Sequence, residues 1–298
     1  MARERAPGVS RIDGVRLALV PCATSGDGGD AVRDVLGYSG KRVVVSGAFS
    51  GMGAAVACVL VDLGAKVHAL DIKPIEARVE QALEVDLRQR DSIDAAVRQL
   101  PAHVDALFNC AGLPGLPFSN LDTMLVNFAG LRHLTEALLP RIPKGGAIAS
   151  ITSVAGMGFR KNLENVKALC GTKDFDEARA WCEAHPDKAN GYLFSKQCII
   201  WYTMQRAVEL VSREIRMNCL SPAPTETPML PAFHAQATRD FIDKHFLAPI
   251  GRNATPEEMA EPLVLLNSNA ARFISGVNLF VDWGYLASIE VGARPALL

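Results

Sequence analysis

A tyrosine and a lysine four residues apart are the first side chains in this sequence whose types and spacing suggest chemistry. Tyr192 opens, and Lys196 lies within, an apolar pattern of helical period at 193–212, so both project from one helix face. A free tyrosine has a pKa of about 10 and is a poor base at neutral pH. An ammonium group about 4 Å away would lower that pKa by one to three units. With Ser153, which follows an apolar strand pattern and can hold a substrate oxygen, the pair predicts acid–base catalysis.

A glycine-rich run at 46–53 directly follows an apolar strand pattern at 42–45. The spacing Gly47-x-x-x-Gly51-x-Gly53 removes Cβ atoms where a turn approaches a pyrophosphate, and the helix that follows offers free N–H groups. Since the chain has 24 glycines, the spacing alone is weak evidence, and its place after a strand makes it informative. We therefore predict a dinucleotide site with Gly47, Ser50, Gly51, Met52 and Gly53.

An aspartate at the end of the next strand pattern indicates which dinucleotide binds. Asp71 lies eighteen residues beyond Gly53, where a carboxylate can accept hydrogen bonds from the ribose hydroxyls of adenosine. It would repel a 2′-phosphate by about 4 kcal/mol at about 4 Å. Lys73 is close by, but 48–52 holds no Lys or Arg to offset that repulsion. The sequence thus favours NAD over NADP, with Ile72 in the same site; the alternative is that Asp71 is a solvated residue after a strand.

Polar and small residues follow two further strand patterns. Asp86 and Leu87 come after the third pattern and are candidates for the adenine edge, although an aspartate that starts a turn is nearly as common there. Asn109, Ala111 and Gly112 end the fourth pattern, where small side chains let the backbone pass close to a ligand. A nicotinamide dinucleotide beside the tyrosine and lysine would supply the hydride, and the side chains would move the proton.

Composition bounds the remaining classes of function. The chain has 298 residues, 49% of them hydrophobic, with a net charge of -1, so no strong field draws it to nucleic acid or anionic lipid. Its seven cysteines have no paired spacing, which predicts reduced thiols, no metal site and a cytoplasmic location. No apolar run approaches the length of a membrane span, and Arg16 and Pro21 disfavour a signal peptide at 17–23.

Short apolar runs alternate with helical patterns from Lys41 onward, which predicts an α/β fold: one doubly wound parallel sheet with helices on both faces and ligands at the strands' carboxyl ends. Residues 40–298 form this domain, and 1–39 are expected to be a flexible extension without chemistry of its own. Two short helices at 162–169 and 174–184 are predicted within an insertion at about 157–190. The predicted strands are 42–45, 66–70, 82–85, 106–108, 147–151, 216–220 and 278–281, and the other helices are 52–63, 92–99, 121–139, 193–212 and 256–266.

These motifs, in this order over 41–287, resemble the short-chain dehydrogenase/reductase family and its Rossmann-type fold. The resemblance implies catalytic roles for Asn127, Ser153, Tyr192 and Lys196, with Asn127 positioning a water that joins Lys196 to bulk solvent. From the residues alone, Asn127 is either a packing feature of an apolar helix or a bridge toward Lys196. The resemblance further implies that the nicotinamide carboxamide is bound within 222–227 by Pro222, Thr225 and Thr227.

The chain departs from the family pattern at a few positions outside the catalytic set. Cys110 replaces a second asparagine, Ala223 replaces a glycine, and Trp283 takes a glycine position. The long segment between Ser153 and Tyr192 is similar to that of the 3α-hydroxysteroid and coniferyl-alcohol dehydrogenase branch. Because it lies beside helices that ordinary members use for subunit packing, we expect a homodimer or homotetramer with an altered interface.

The function predicted is an NAD-dependent dehydrogenase or reductase that interconverts an alcohol, secondary or aryl, and its ketone or aldehyde. The partner is a small hydrophobic molecule, cyclic or aromatic, because 228–245 is rich in apolar side chains, although an amphipathic surface helix would look the same. Two alternatives stay open. One is a protein that senses NAD without turnover, and the other is a 3-oxoacyl reductase.

Overall fold

A computed structural model describes residues 10–12, 15–17 and 34–295 of the chain. Contacts divide the chain into two units, 1–34 and 35–298. In the first unit, β1 (Ser10–Ile12) and β2 (Val15–Leu17) pair antiparallel. The rest of the predicted extension up to residue 33 lies outside the described residues, so its role stays a prediction.

The second unit is built on a seven-stranded sheet in which every pairing is parallel. The strands lie in the order β5-β4-β3-β6-β7-β8-β9. The chain therefore builds outward from β3 to β5, returns to the far side of β3 and builds outward again. This reversal opens a crevice between the carboxyl ends of β3 and β6, the usual place for a ligand in such sheets. The bounds are β3 (Arg42–Ser46), β4 (Lys66–Asp71), β5 (Gln81–Glu84), β6 (Ala106–Asn109), β7 (Ala147–Ile151), β8 (Arg216–Pro222) and β9 (Asn278–Val281).

Helices cover both faces of this sheet, which confirms the predicted fold. Side chains alternate across each strand, so Val43 and Val45 join a core with α1 and α10, while Val44 faces the opposite core with α2, α4 and α7. Fully buried apolar strands of this kind are typical of parallel sheets. The helices are α1 (Gly51–Asp62), α2 (Arg90–Gln99), α3 (Asn120–Met124), α4 (Leu131–Leu138), α5 (Leu163–Cys170), α6 (Phe175–Ala184), α7 (Tyr192–Glu209), α8 (Leu230–Ala237), α9 (Arg239–Phe246), α10 (Pro256–Asn267) and α11 (Tyr285–Glu290).

The single helix predicted at 121–139 is three segments. A π-helical turn, Leu125–Gly130, joins α3 to α4. Close packing limits what can lie here, because a Cβ on Gly130 would be 2.2 Å from the carbonyl oxygen of Leu87. Asn127 lies inside this turn and is completely buried. Single π-helical turns are rare and occur often at functional sites.

The insertion folds as predicted into two short helices, preceded by a 3₁₀ segment, Val154–Asn162. The Asp174 side chain accepts a hydrogen bond from the Glu177 N–H and caps the start of α6. Both α5 and α6 pack against the core that contains α4 and α7. The buried guanidinium of Arg132 on α4 holds the linker, since it donates to the carbonyl oxygens of Leu169, Cys170, Thr172 and Asp174 at 3.4, 3.3, 3.0 and 2.6 Å.

Two further features bear on the sequence predictions. Trp283 has a φ of +50°, a left-handed conformation that glycine adopts freely, and its side chain is 67% exposed.

Among the helices of the described part of the chain, none is long and apolar enough to cross a membrane.

Candidate active site

The turn between β3 and α1 leaves no room for side chains at its glycines. A Cβ on Gly47, whose φ is +75°, would lie 2.5 Å from the Ala111 backbone. A Cβ on Gly53 would lie 2.1 Å from the carbonyl oxygen of Gly47, and one on Gly51 would lie 3.1 Å from Thr227. The predicted glycine pattern therefore has a separate steric cause at each position. The turn opens onto a groove of about 380 Å³ at the crevice between β3 and β6.

The carboxylate of Asp71 is held in place at the end of β4. It accepts hydrogen bonds from the backbone N–H of Phe49, at 3.1 Å, and of Lys73, at 3.0 Å. The Lys73 ammonium lies 4.9 Å from the centroid of the Phe49 ring. Asp71 and Ile72, both predicted to bind the dinucleotide, line the groove. A fixed carboxylate here can accept hydrogen bonds from two vicinal hydroxyl groups.

An arginine that the sequence reasoning missed lies at the far end of this groove. Asp86 and Leu87 line the groove as predicted, and Arg88 lines it beside them. Arg88 Nη2 lies 2.7 Å from Asp86 Oδ2, and its Nε lies 2.9 Å from Oδ1. These hydrogen bonds lower the pKa of Asp86 and raise that of Arg88. The Asp-x-Arg spacing was a signal for the ion pair.

The side chain of Asn109 lies in the core, and a part for this residue in cofactor binding stays a prediction. Ala111 and Gly112 line the groove, but the Asn109 side chain is buried beside it. Its amide nitrogen donates to the hydroxyls of Thr135, at 3.0 Å, and Ser150, at 3.3 Å. Because side chains alternate along a strand, a residue one position from a groove-lining neighbour can face the core. Asn109 thus ties β6 to β7 and α4.

Ser153 and Tyr192 meet where the groove joins a second, larger cavity. Ser153 follows β7, and Tyr192 begins α7 after Gly191, whose φ is +81°. The two side chains are hydrogen-bonded, and this contact lowers the pKa of Tyr192. Burial acts more strongly in the opposite direction, so the net pKa of Tyr192 is raised. The net pKa of Tyr192 thus lies above its ordinary value and not below it as the tyrosine–lysine spacing predicted, because burial dominates and the Lys196 Nζ is 5.5 Å from the ring centroid.

Lys196 is buried one helical turn after Tyr192. Its Nζ donates to the carbonyl oxygen of Ile151 at 3.1 Å. Burial lowers the pKa of Lys196 to about 8, partly offset by the nearby thiols of Cys110 and Cys219. Lys196 can therefore gain or lose a proton near neutral pH, which an ordinary lysine does not do.

Asn127 is fixed by the backbone of the loop after β6. Its Oδ1 accepts from the Leu113 N–H at 2.7 Å, and its Nδ2 donates to the Leu113 carbonyl at 3.0 Å and to the Ser195 hydroxyl at 3.2 Å. A Cβ on Gly112 would lie 3.4 Å from Asn127 Oδ1 and 3.9 Å from Lys196 Nζ. Asn127 and Lys196 therefore flank the same backbone position. Asn127 is placed between α3 and α7 and does not line either cavity wall.

The segment after β8 completes the junction of groove and cavity. Pro222, Thr225 and Thr227 all line the larger cavity, and their contact with a nicotinamide carboxamide stays a prediction. The Thr225 hydroxyl donates to the Ala223 carbonyl at 2.8 Å and is buried. Thr227 lines both spaces and touches the glycine turn. Met52, Cys110 and Gly112 are shared in the same way, so groove and cavity are continuous.

The larger cavity has a volume of about 530 Å³ and a mostly apolar wall. We name residues 228–246, which include α8 and α9, the cavity cover. Its Phe233 packs edge-on against Tyr192, with ring centroids 5.1 Å apart. Its Gln236 donates to the carbonyl oxygens of Pro114 and Leu116, both at 3.3 Å, and so joins α8 to the loop after β6. The other apolar side chains of the cover on the wall are Met229, Leu230, Phe241, Ile242 and Phe246.

The side chains present fit a nicotinamide dinucleotide. The glycine turn, the start of α1, the anchored carboxylate of Asp71 and the buried Lys196 line one continuous space. No group of three or more His, Cys, Asp or Glu side chains with metal-binding geometry occurs among the described residues. The six cysteines among the described residues are free thiols, and Cys22 lies outside those residues.

Comparisons with known proteins agree with this geometry. A family model described as short chain dehydrogenase matches residues 41–168, and one described as Enoyl-(Acyl carrier protein) reductase matches residues 182–286. The chain is 35% identical over 255 residues to a coniferyl-alcohol dehydrogenase of Pseudomonas sp. (strain HR199 / DSM 7063), covering 84% of this chain and 98% of that protein. It is 30% identical over 260 residues to a 3-alpha-hydroxysteroid dehydrogenase/carbonyl reductase of Comamonas testosteroni, covering 85% and 98%.

A solved structure agrees as well. The 3-alpha-hydroxysteroid dehydrogenase of Pseudomonas sp. B-0831, complexed with NADH, superposes with a TM-score of 0.69 at 26% identity. The match covers 86% of this chain and all of the other.

Proposed function

The chain belongs to the short-chain dehydrogenase/reductase family, and on that premise we propose that it is an NAD-dependent alcohol dehydrogenase. Its substrate is a hydrophobic cyclic or aromatic molecule with a secondary or aryl-type alcohol, which it interconverts with the ketone or aldehyde. The observation that carries the proposal is the meeting of Ser153, Tyr192 and Lys196 where the dinucleotide groove opens into an apolar cavity. The names and bound NADH of the relatives support the same chemistry.

The chain's own residues account for the proton. When bound, the nicotinamide ring supplies or accepts the hydride. Tyr192, which is neutral at pH 7 and whose pKa is raised further by burial, donates its proton to the carbonyl oxygen during reduction. The Ser153 hydroxyl, hydrogen-bonded to Tyr192, holds that oxygen in place. Lys196, with a pKa of about 8, lies beside the tyrosine ring and can return a proton to it. During alcohol oxidation the same groups move the proton outward.

The preference for NAD rests on Asp71. Its carboxylate is held by two backbone N–H groups and faces the groove where the adenosine ribose would lie. A 2′-phosphate would bring a second negative charge to this point, at a cost of about 4 kcal/mol at close range. Lys73 could offset part of that cost, but its ammonium is over the Phe49 ring. We therefore expect NADH to bind at least tenfold more tightly than NADPH.

The substrate class rests on the cavity wall. Lys196 is the only charged side chain among the described residues that line the cavity. Its amino group is hydrogen-bonded to the carbonyl oxygen of Ile151. A phosphate or carboxylate on the substrate would find no free cation on this wall. The ring edges of Phe233, Phe241 and Phe246 favour flat or fused-ring molecules.

A spectrophotometric assay tests the proposal. NADH formation is followed at neutral and alkaline pH with panels of steroid, terpenoid and aryl alcohols, and with NAD and NADP side by side. We expect NAD-dependent turnover in one of these classes. The Tyr192→Phe variant should lose most of this turnover, because it cannot move the proton, and should bind NADH with unchanged affinity.

Two results would overturn it. Turnover that persists in Tyr192→Phe would contradict the role of the tyrosine. NADH binding without turnover across the whole panel would favour a protein that only senses the dinucleotide, and a preference for NADPH with acyl thioesters would favour a 3-oxoacyl reductase.

A further inference from the structure

Three thiols meet where the insertion packs on the helix that carries Tyr192. Cys170 ends α5, Cys182 lies on α6 and Cys198 lies on α7. Cys182 and Cys198 are buried in the same core, and Cys170 is partly exposed and packs against it. The three helices therefore each contribute one sulfur to a single contact region, far along the chain from one another.

Cys170 and Cys198 are the pair in this cluster joined by a direct contact. Cys170 Sγ lies 3.7 Å from the carbonyl oxygen of Cys198, and the two side chains are within hydrogen-bonding reach of one another. We propose that Cys170 and Cys198 form a thiol-oxidation site, in which an external oxidant links them by a disulfide that fastens the insertion to the catalytic helix.

The exposure of the two thiols sets the order of steps. Cys170 is the one that solvent reaches, so it meets the oxidant first. With a low-molecular-weight disulfide such as oxidised glutathione, Cys170 displaces one glutathione thiolate and forms a mixed disulfide. Cys198 then attacks the Cys170 sulfur and releases the second glutathione. Two protein thiols are oxidised to one disulfide, and one glutathione disulfide is reduced to two thiols.

The buried partner has the character of a resolving thiol. Burial raises the pKa of Cys198 well above its ordinary value, and the contact with Cys170 raises it further. Such a thiol reacts slowly with a bulky oxidant in solution. Its attack is therefore confined to a sulfur already beside it, where proximity offsets the scarcity of the thiolate, and Cys170 occupies that position.

The disulfide would act on the insertion without disturbing the chemistry. Lys196 and Cys198 are two residues apart on α7, so their side chains project from nearly opposite sides of the helix. The Lys196 amino group donates a hydrogen bond to the carbonyl oxygen of Ile151 in the sheet. The bond would close the stretch of chain between α5 and α7 and restrict the unfolded state. We expect the oxidised protein to melt about 5 °C higher and to turn over its substrate within twofold of the reduced protein.

Peptide mapping tests this with the full-length protein. The reduced protein is incubated with oxidised glutathione, remaining thiols are alkylated, and tryptic peptides are analysed without reduction. We expect residues 168–173 and 197–206 to be linked, as one species two hydrogens lighter than the sum of the two peptides. The melting temperature should rise together with the yield of this species and fall back on reduction.

Matched variants separate the proposal from general thiol chemistry. Cys170→Ser should abolish the linked species and the rise in melting temperature, whereas Cys58→Ser, which removes an exposed thiol on α1, should leave both unchanged. A link from Cys182 to Cys198, glutathione left on Cys170 without a link, or a linked species with an unchanged melting temperature would each overturn the proposal. Its failure would leave the dehydrogenase proposal intact, since turnover and NADH binding are measured separately.

Discussion

Burial determines the proton affinities of the two side chains nearest to the reacting atoms. It raises the pKa of Tyr192 and lowers that of Lys196 to about 8, because both charged forms lose hydration in the interior. In the proposed mechanism the tyrosine is therefore the proton donor at neutral pH, and the lysine, with a pKa of about 8, is the group that titrates. This division of roles could not be read from the spacing of the two residues, which suggested only that the lysine acts on the tyrosine.

A pH profile with a limb near 8 follows from this division. Below that pH Lys196 is protonated and can resupply Tyr192, and above it the buried amine is neutral. We expect kcat/KM for carbonyl reduction to fall by up to tenfold per pH unit above about 8, and kcat/KM for alcohol oxidation to rise over the same range. Both are measured between pH 6 and 10 with NADH or NAD in excess.

The Lys196→Arg variant is the control for this assignment. An arginine keeps its charge through the whole range, so the limb near 8 should disappear even though the overall rate falls. A limb at the same pH in the arginine variant would show that another group titrates there.

The turn between β3 and α1 works through close contacts rather than through side-chain chemistry. We expect Gly53→Ala to weaken NADH binding by about 100-fold, because its Cβ would lie 2.1 Å from the Gly47 carbonyl oxygen and the turn must open. The measurement is a fluorescence titration with NADH. Gly158→Ala is the matched control, since its Cβ would lie 3.5 Å from Gln197, an ordinary contact. Equal affinities in the two variants would contradict the steric explanation.

The linker between α5 and α6 depends on one buried charge. Arg132 satisfies four carbonyl oxygens, so Arg132→Met should lower the free energy of unfolding by about 2–4 kcal/mol and speed proteolysis within 163–184. Arg179→Met removes only an exposed pair with Glu183 and should cost less than about 0.5 kcal/mol. Urea titrations compare the two variants, and similar losses in both would show that Arg132 does not anchor the linker.

The elements differ in how far the sequence could predict them. All seven strands of the sheet and both insertion helices were predicted to within a few residues, because apolar runs and caps such as Asp174 are local signals. The π-helical turn at Leu125–Gly130 was not predicted, since it depends on packing against Leu87, which is distant from it in the sequence. The helices of the cavity cover were not separated for a similar reason. Their apolar residues line a cavity, and residues that line a cavity need not follow the helical spacing that packing against a core imposes.

The site shows the same division at single residues. The glycines and Asp71 were predicted because a ligand requires their type at a fixed distance from a strand. The direction of the Asn109 side chain was not predicted, because motif order does not tell which side of a strand a side chain occupies. The ion pair of Arg88 with Asp86 has a local signal in the sequence, but the place of Arg88 on the groove was missed because the groove also includes residues from the loop after β6.

At the scale of the whole molecule, we expect the insertion to limit how copies of this chain can meet. Its helices cover part of the face formed by α4 and α7, and Arg132 fixes them there. We expect that this face is not buried against a second copy, so that a homodimer or homotetramer forms through other surfaces. Ala180 is an exposed residue of α6, and an arginine in its place would break an interface that included it. Light scattering should therefore give the same mass for Ala180→Arg as for the unmodified protein, and a fall to the mass of the monomer would place the insertion inside the interface.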